Sequence, residues 1–258
     1  MEKSKRDSLI KRVISACILA PLVLGAILYS WTTNSILLLV VSALLAWEWA
    51  EMVPNKKSAV YAVTYLSAAA CVIFFPNIIY STGFMLAATL FVWFKAKTEN
   101  HRRLLTAGVP YITLGIGSFV WLYVIFGPVS ALWFVLVVWG VDIGGYFVGT
   151  TVKGPKLAPS ISPNKTWSGL LGAIVFAALT SVAIAYFFER NDYVTFALLG
   201  GGLAVVAQIG DLLESKVKRY LNVKDSSNLI PGHGGIFDRV DGLIFAAPFI
   251  LAVLIFII

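Results

Sequence analysis

Nine long runs of apolar residues limit what this chain can fold into. They cover about 13–30, 34–52, 58–75, 78–94, 107–126, 129–149, 168–188, 194–213 and 241–258. Roughly 20 apolar residues in a helix cross the hydrocarbon core of a bilayer. Lipid offers no partner to a free backbone amide, so only helices and closed barrels span it. The runs are continuously apolar rather than alternating, which argues against a barrel. Composition agrees: 59% of the residues are hydrophobic and 13% charged, where a soluble domain carries about a quarter. The expected fold is an all-α integral membrane protein of about nine transmembrane helices. Several runs sit at the short end of a span. The first follows the basic stretch Lys3-Ser4-Lys5-Arg6, but its apolar part is longer than a signal core and no Ala-x-Ala site follows. It reads as an uncleaved anchor.

The basic residues set the expected orientation. With the N-terminus in the cytoplasm and nine spans threaded, 19 of the 20 Lys and Arg residues fall on the inner side, and only Arg190 falls outside. That sorting is what the positive-inside rule demands, and it puts the C-terminus on the opposite side. The net charge of +7 thus reads as topology and as attraction to anionic lipid or substrate, not as a nucleic-acid footprint. Both cysteines, Cys17 and Cys71, lie within apolar runs, so neither a disulfide framework nor a thiolate metal site is expected. The chain reads as a single polytopic domain over 1–258. Its first half, 1–128, is a helical scaffold with short loops. Its second half, 129–258, carries two longer polar loops at about 150–167 and 214–240, both expected in the cytoplasm.

Ionisable residues inside spans cost about 2.5–3.5 kcal/mol each on insertion scales and are functional by default. Glu48 stands between Trp47 and Trp49 near one end of the second run, where an interfacial carboxylate beside an aromatic belt is the simpler reading. Asp142 lies in a stretch with Gly140, Gly144, Gly145 and Gly149, a spacing that lets helix backbones approach. It is expected to point into the bundle, either as a structural hydrogen-bonding group or as part of a site. Asp211, Glu214, Ser215 and Lys218 follow i, i+3, i+4, i+7 and share one helix face. This polar stripe leads to Lys224, Asp225 and the glycine-rich turn Pro231-Gly-His-Gly-Gly235, whose backbone N–H groups can face an anion. Asp238 and Asp241 follow, three apart at the start of the last run.

Carboxylates beside many cations fit a metal-dependent phosphate site. Hard carboxylate oxygens suit Mg²⁺, and Lys and Arg stabilise phosphoryl charge. The other polar loop adds Lys153, Lys156 and Ser162-Pro-Asn-Lys-Thr-Trp167 at a helix start. Lys153 and Lys156 taken alone read equally well as snorkelling interface residues.

The stretch from Ser215 to Asp241 resembles, across its 27 positions, the signature of the phosphatidate cytidylyltransferase (CDP-diacylglycerol synthase) family. Asp142 to Tyr146, Gly149 and Ile161 to Gly169 resemble it too, with Ser168 where the family usually shows an acid. That departure withholds any role from an acid at this position. The resemblance implies transfer of CMP from CTP to phosphatidic acid, releasing pyrophosphate. It implies Asp211, Asp238 and Asp241 as ligands of Mg²⁺, with a second metal or a monovalent cation left open. It implies that Lys218, Arg219, Lys224, His233 and Arg239 hold the triphosphate and departing pyrophosphate. Ser162, Lys165 and Thr166 would bind phosphate from the other loop, and Ser215 would be a hydrogen-bonding group. Asp142, with Tyr146 near it, would orient a lysine or join the metal shell. Asp225, Gly234 and Gly235 would complete the substrate site. The membrane itself would deliver the lipid, and a homodimer is a further expectation. A bacterial inner membrane is the expected location. The alternatives are a CTP-dependent polyprenol or phytol kinase, and a cation-coupled transporter.

Overall fold

The computed structural model describes residues 17–227, 229 and 234–257. Among these the chain forms α1 (Cys17–Tyr29), α2 (Trp31–Met52), α3 (Ser58–Phe74), α4 (Ile78–Lys95), α5 (Arg102–Phe126), α6 (Pro128–Thr151), α7 (Trp167–Phe187), α8 (Tyr193–Tyr220) and α9 (Phe237–Ile257). Seven are long and apolar enough to cross a membrane, while α1 and α3 are shorter. The protein is therefore a multi-pass helical membrane protein. Three edges differ from the apolar runs. α5 starts at the charged pair Arg102–Arg103, α8 continues through the polar stripe to Tyr220, and α9 begins at Phe237. Helical hydrogen bonding does not stop where hydropathy does. The all-helical expectation also missed a small antiparallel hairpin, β1 (Lys156–Ala158) with β2 (Ser162–Thr166).

Local chemistry sets several starts. Ser30 caps α2 in a reciprocal box with Thr33, and Asn77 caps α4 through Ile79 and Tyr80. Gly127 takes φ +84° and Pro128 follows it at the first position of α6, where a missing N–H costs nothing. At α8, the Thr195 side chain and then its N–H, which donates to Asp192, hold the Asp192 carboxyl below the usual range.

The chain divides into two compact units. One comprises residues 1–124 with 223–240, the other 125–222 with 241–258. In the first unit, α5 is tied to α2 by the Trp49 indole donating to the Leu104 carbonyl (3.1 Å) and to α3 by the Tyr65 hydroxyl donating to the Leu105 carbonyl (2.6 Å). Gly108 makes room for both rings. A Cβ there would lie 2.6 Å from Trp49 and 3.0 Å from Tyr65.

In the second unit, α6 and α7 meet backbone to backbone. Gly140 and Gly144 of α6 face Thr180, Phe176 and Gly172 of α7, and Gly149 faces Gly169. α8 joins α7 at Gly200, beside Ala177 and Ser181. The Ser181 hydroxyl accepts from the Trp133 indole (2.8 Å) and donates to the Phe196 carbonyl (2.6 Å). α9 lies along α8 with Gly210 against the Phe245 ring and Gly242 against Ala207. These small residues let polar side chains of α8, α9 and the hairpin approach one another.

Candidate active site

Because α8 and α9 pack at Gly210 and Gly242, the first acid of α9 in the second unit comes alongside the polar stripe of α8. Asp211, Glu214 and Asp241 each place a carboxylate oxygen within 4.8 Å of the others. Three acids this close repel one another unless cations share them. Two do. The Lys165 ammonium, carried by β2, is ion-paired with Asp211, and Lys218 pairs with Glu214 at 2.7 Å, one turn along the same helix. Glu214 and Lys218 are buried, whereas Leu213 and Lys216 of the same helix are exposed, so the stripe expected from spacing is a real face. The Ser215 hydroxyl donates to Asp211 at 3.3 Å.

The cluster has the chemistry of a divalent-cation site. Its oxygens are hard, and three carboxylates outnumber the two lysines paired with them. Glu214 was on the expected stripe but was not singled out as a ligand. Its signal was legible, since it lies one turn from Asp211 on the face already identified.

The hairpin that carries Lys165 is held from both sides. Thr166 is buried and its hydroxyl caps α7, accepting from the Gly169 N–H at 3.1 Å. Thr166 thus serves the fold. Ser168 bonds the carbonyl of Lys153, where the backbone turns through φ +58° and then +114° at Gly154. The serine at the position where an acid was expected therefore has a definite job in this chain. Ser162 sits half-buried in β2, paired with Ala158, and Lys153 and Lys156 are exposed.

Asp142 does not point into the α6–α7 seam. It is exposed, because residue 142 lies about 200° around the helix from both Gly140 and Gly144. Tyr146 is also exposed, at 75%.

In the first unit, the remaining expected residues surround the loop ahead of α9. Asp238 accepts from the Ser226 N–H (3.0 Å), the Ser226 hydroxyl (3.2 Å) and the Gly235 N–H (2.8 Å). The anion that the glycine-rich turn serves through Gly235 is thus the chain's own carboxylate. Gly234 takes φ +82°, with Asp238 and Asp225 around it. Lys224, Asp225 and Arg239 are exposed, as is Arg219 of α8 in the second unit. His233 lies outside the described residues.

Glu48 is the residue whose surroundings differ most from expectation. It is fully buried, not interfacial, and both of its oxygens accept hydrogen bonds from the loop. Of its two tryptophan neighbours only Trp47 is exposed, whereas Trp49 is packed inside.

Residues 10–257 match the model of the "Cytidylyltransferase family". The chain is similar to a phosphatidate cytidylyltransferase of Pseudomonas aeruginosa, 32% identical over 269 residues, covering 95% of this chain and 96% of that protein. It is also similar to proteins of the same name from Brucella suis and Bacillus subtilis. The first is 47% identical over 122 residues, covering 47% of this chain and 45% of the relative. The second is 44% identical over 116 residues, covering 45% and 43%. Against these two the matched stretch spans less than half of the relative's length.

Proposed function

This chain belongs to the cytidylyltransferase family, and we propose on that premise that it transfers CMP from CTP to phosphatidic acid in a bacterial inner membrane. The observation that carries this reading is the meeting of Asp211, Glu214 and Asp241 within 4.8 Å, flanked by Lys165 and Lys218. Both reactants are polyanions, so the site must first cancel charge. The three acids would hold Mg²⁺, which when bound draws charge from the phosphate oxygens of both reactants. Lys165 and Lys218 would exchange their carboxylate partners for phosphate oxygens as substrate enters. An oxygen of the lipid's phosphate monoester forms the new bond to the α-phosphorus of CTP, and the bond to pyrophosphate breaks. No covalent intermediate on Ser215 is required, since the attacking oxygen belongs to the lipid. Glu214 joins the ligand set, and we assign Asp238, which already serves Ser226 and Gly235, to ordering its loop. We further place this face of the protein toward the cytoplasm, where the sorted basic residues would lie.

Purified protein in detergent with CTP, Mg²⁺ and phosphatidic acid should yield CDP-diacylglycerol and pyrophosphate in equal amounts. Appearance of CDP with a phosphorylated lipid would instead establish a kinase. Lys165→Gln should keep the fold and lower kcat/KM for CTP by about 10²-fold, the usual loss for one preorganised charge donor. Wild-type turnover in that variant would remove Lys165 from the phosphate site.

A further inference from the structure

We propose that Glu48 is a positioning residue for the transferase reaction, clasping both ends of the loop that precedes α9. The inference rests on the proposed reaction and on the family resemblance, which implies that Lys224 and Arg239 of this loop hold nucleotide phosphate. The clasp itself stands on geometry. Glu48 is 0% exposed, deep in α2, and 178 or more positions from every residue it bonds. Its Oε1 accepts from the Ser227 hydroxyl (2.6 Å) and the Ile236 N–H (2.9 Å). Its Oε2 accepts from the Ser226 hydroxyl (3.2 Å) and the Phe237 N–H (2.7 Å). Each oxygen thus joins the start of the loop to its end.

The next residue of α2 holds the same place. The Phe237 ring, itself buried, packs on Trp49 (5.3 Å) and Tyr111 (5.7 Å). Glu48 and Trp49 of α2 therefore hold the backbone and the ring of the first residue of α9, with Tyr111 of α5 on the same ring. The two N–H groups are orphan donors of the α9 N-terminus, where negative charge is favoured. The space is closed around the carboxylate. A Cβ on Gly235 would lie 2.0 Å from the Ser226 hydroxyl and 2.6 and 2.7 Å from the two Glu48 oxygens. Only glycine fits there. A carboxylate so buried and so fully engaged is costly to place in a membrane helix unless it organises something. What it organises is the backbone that carries Lys224 on one side and Asp238 and Arg239 on the other.

The chemistry of substitution is specific. Glu48→Gln preserves shape, but its NH₂ group must face a backbone N–H, so one end of the loop loses its acceptor. Glu48→Asp, shorter by one methylene, reaches one end only. We expect Glu48→Gln to raise KM for CTP and lower kcat/KM for CTP by about 10²-fold, as a misplacement near 1 Å can. KM for phosphatidic acid should stay unchanged, and Glu48→Asp should recover part of the loss. Trypsin should cut after the exposed Lys224 several-fold faster in Glu48→Gln, because cleavage there follows local opening. The doubly substituted Ser226→Ala, Ser227→Ala protein approaches the same clasp from the loop side. It should show the same two changes even if Glu48→Gln cannot be purified. Cleavage at the wild-type rate in these variants overturns the clasp. Faster cleavage with wild-type kinetics overturns its part in the reaction. A wild-type protein that makes no CDP-diacylglycerol, yet whose Glu48→Gln variant is cut faster, would reject the assigned reaction and leave the clasp intact.

Discussion

Asp241→Asn should lower Mg²⁺-dependent formation of CDP-diacylglycerol by about 10³-fold while leaving the protein more stable in the absence of divalent ions, not less. The two halves of this expectation come from the same geometry. Asp241 lies within 4.8 Å of Asp211 and Glu214, the two acids that pair with Lys165 and Lys218. At that spacing three carboxylates repel one another wherever no cation is shared among them. Removing the Asp241 charge relieves repulsion and takes a hard ligand from the cation, so binding and turnover fall while the metal-free fold gains. Loss of one electrostatic stabiliser costs about 10²–10³ in rate, and weaker metal affinity adds to that. Asp211→Asn should be equally inactive but respond oppositely in stability. It strands Lys165, whose side chain is 18% exposed, at a cost of about 1 kcal/mol, moderated because Asp211 itself is 36% exposed and screened. Thermal unfolding followed by tryptophan fluorescence, with and without Mg²⁺, separates the cases. In wild type Mg²⁺ should raise the midpoint, and in both variants it should not. Turnover of Asp241→Asn within tenfold of wild type would remove that residue from the metal shell.

Much of this arrangement was legible from residue spacing alone, and what was not legible shares a physical cause. The apolar runs located the helices because lipid imposes one requirement on every span. The stripe of Asp211, Glu214, Ser215 and Lys218 was legible because 3.6-residue periodicity is local. Asp142 was misplaced by the same local logic used incompletely. Small residues at 140 and 144 mark one face, and residue 142 lies on the opposite one. The hairpin was missed because three and five residues are too few to show a period of two. Glu48 could not have been placed from its neighbours. Trp47 and Trp49 suggested an interface, but its four bonds go to residues 226, 227, 236 and 237, and nothing near position 48 records them. Gly235 held the nearest hint, because a glycine that excludes any Cβ marks a close approach without naming what approaches.

Gly172→Ala should lower the unfolding midpoint by about 5 °C or more and reduce turnover in proportion, whereas Gly202→Ala should do neither. At Gly172 a Cβ would lie 2.4 Å from the Val148 Cβ and 2.8 Å from the Gly144 carbonyl oxygen. At Gly144 the same addition would meet the Gly172 carbonyl at 2.6 Å. The obstruction is partly backbone, so no rotamer change removes it, and the helices must part. Parting is expensive in lipid for a particular reason. No hydrophobic force holds two apolar helices together there, so close packing supplies most of their association. Overfilling such a contact costs about 1–3 kcal/mol. The damage should reach the chemistry because the seam ends at the hairpin. Gly149 lies against Gly169 and the Thr166 hydroxyl, and Lys165 is the adjoining residue that pairs with Asp211. Separation of α6 from α7 therefore moves a charge that must meet phosphate. Gly202, on α8, has nothing within 4 Å of its added Cβ, so alanine there should be neutral or slightly stabilising through helix propensity. Equal midpoints for the two alanine variants would show that the α6–α7 seam yields without cost, and the placement of Lys165 would then need another support.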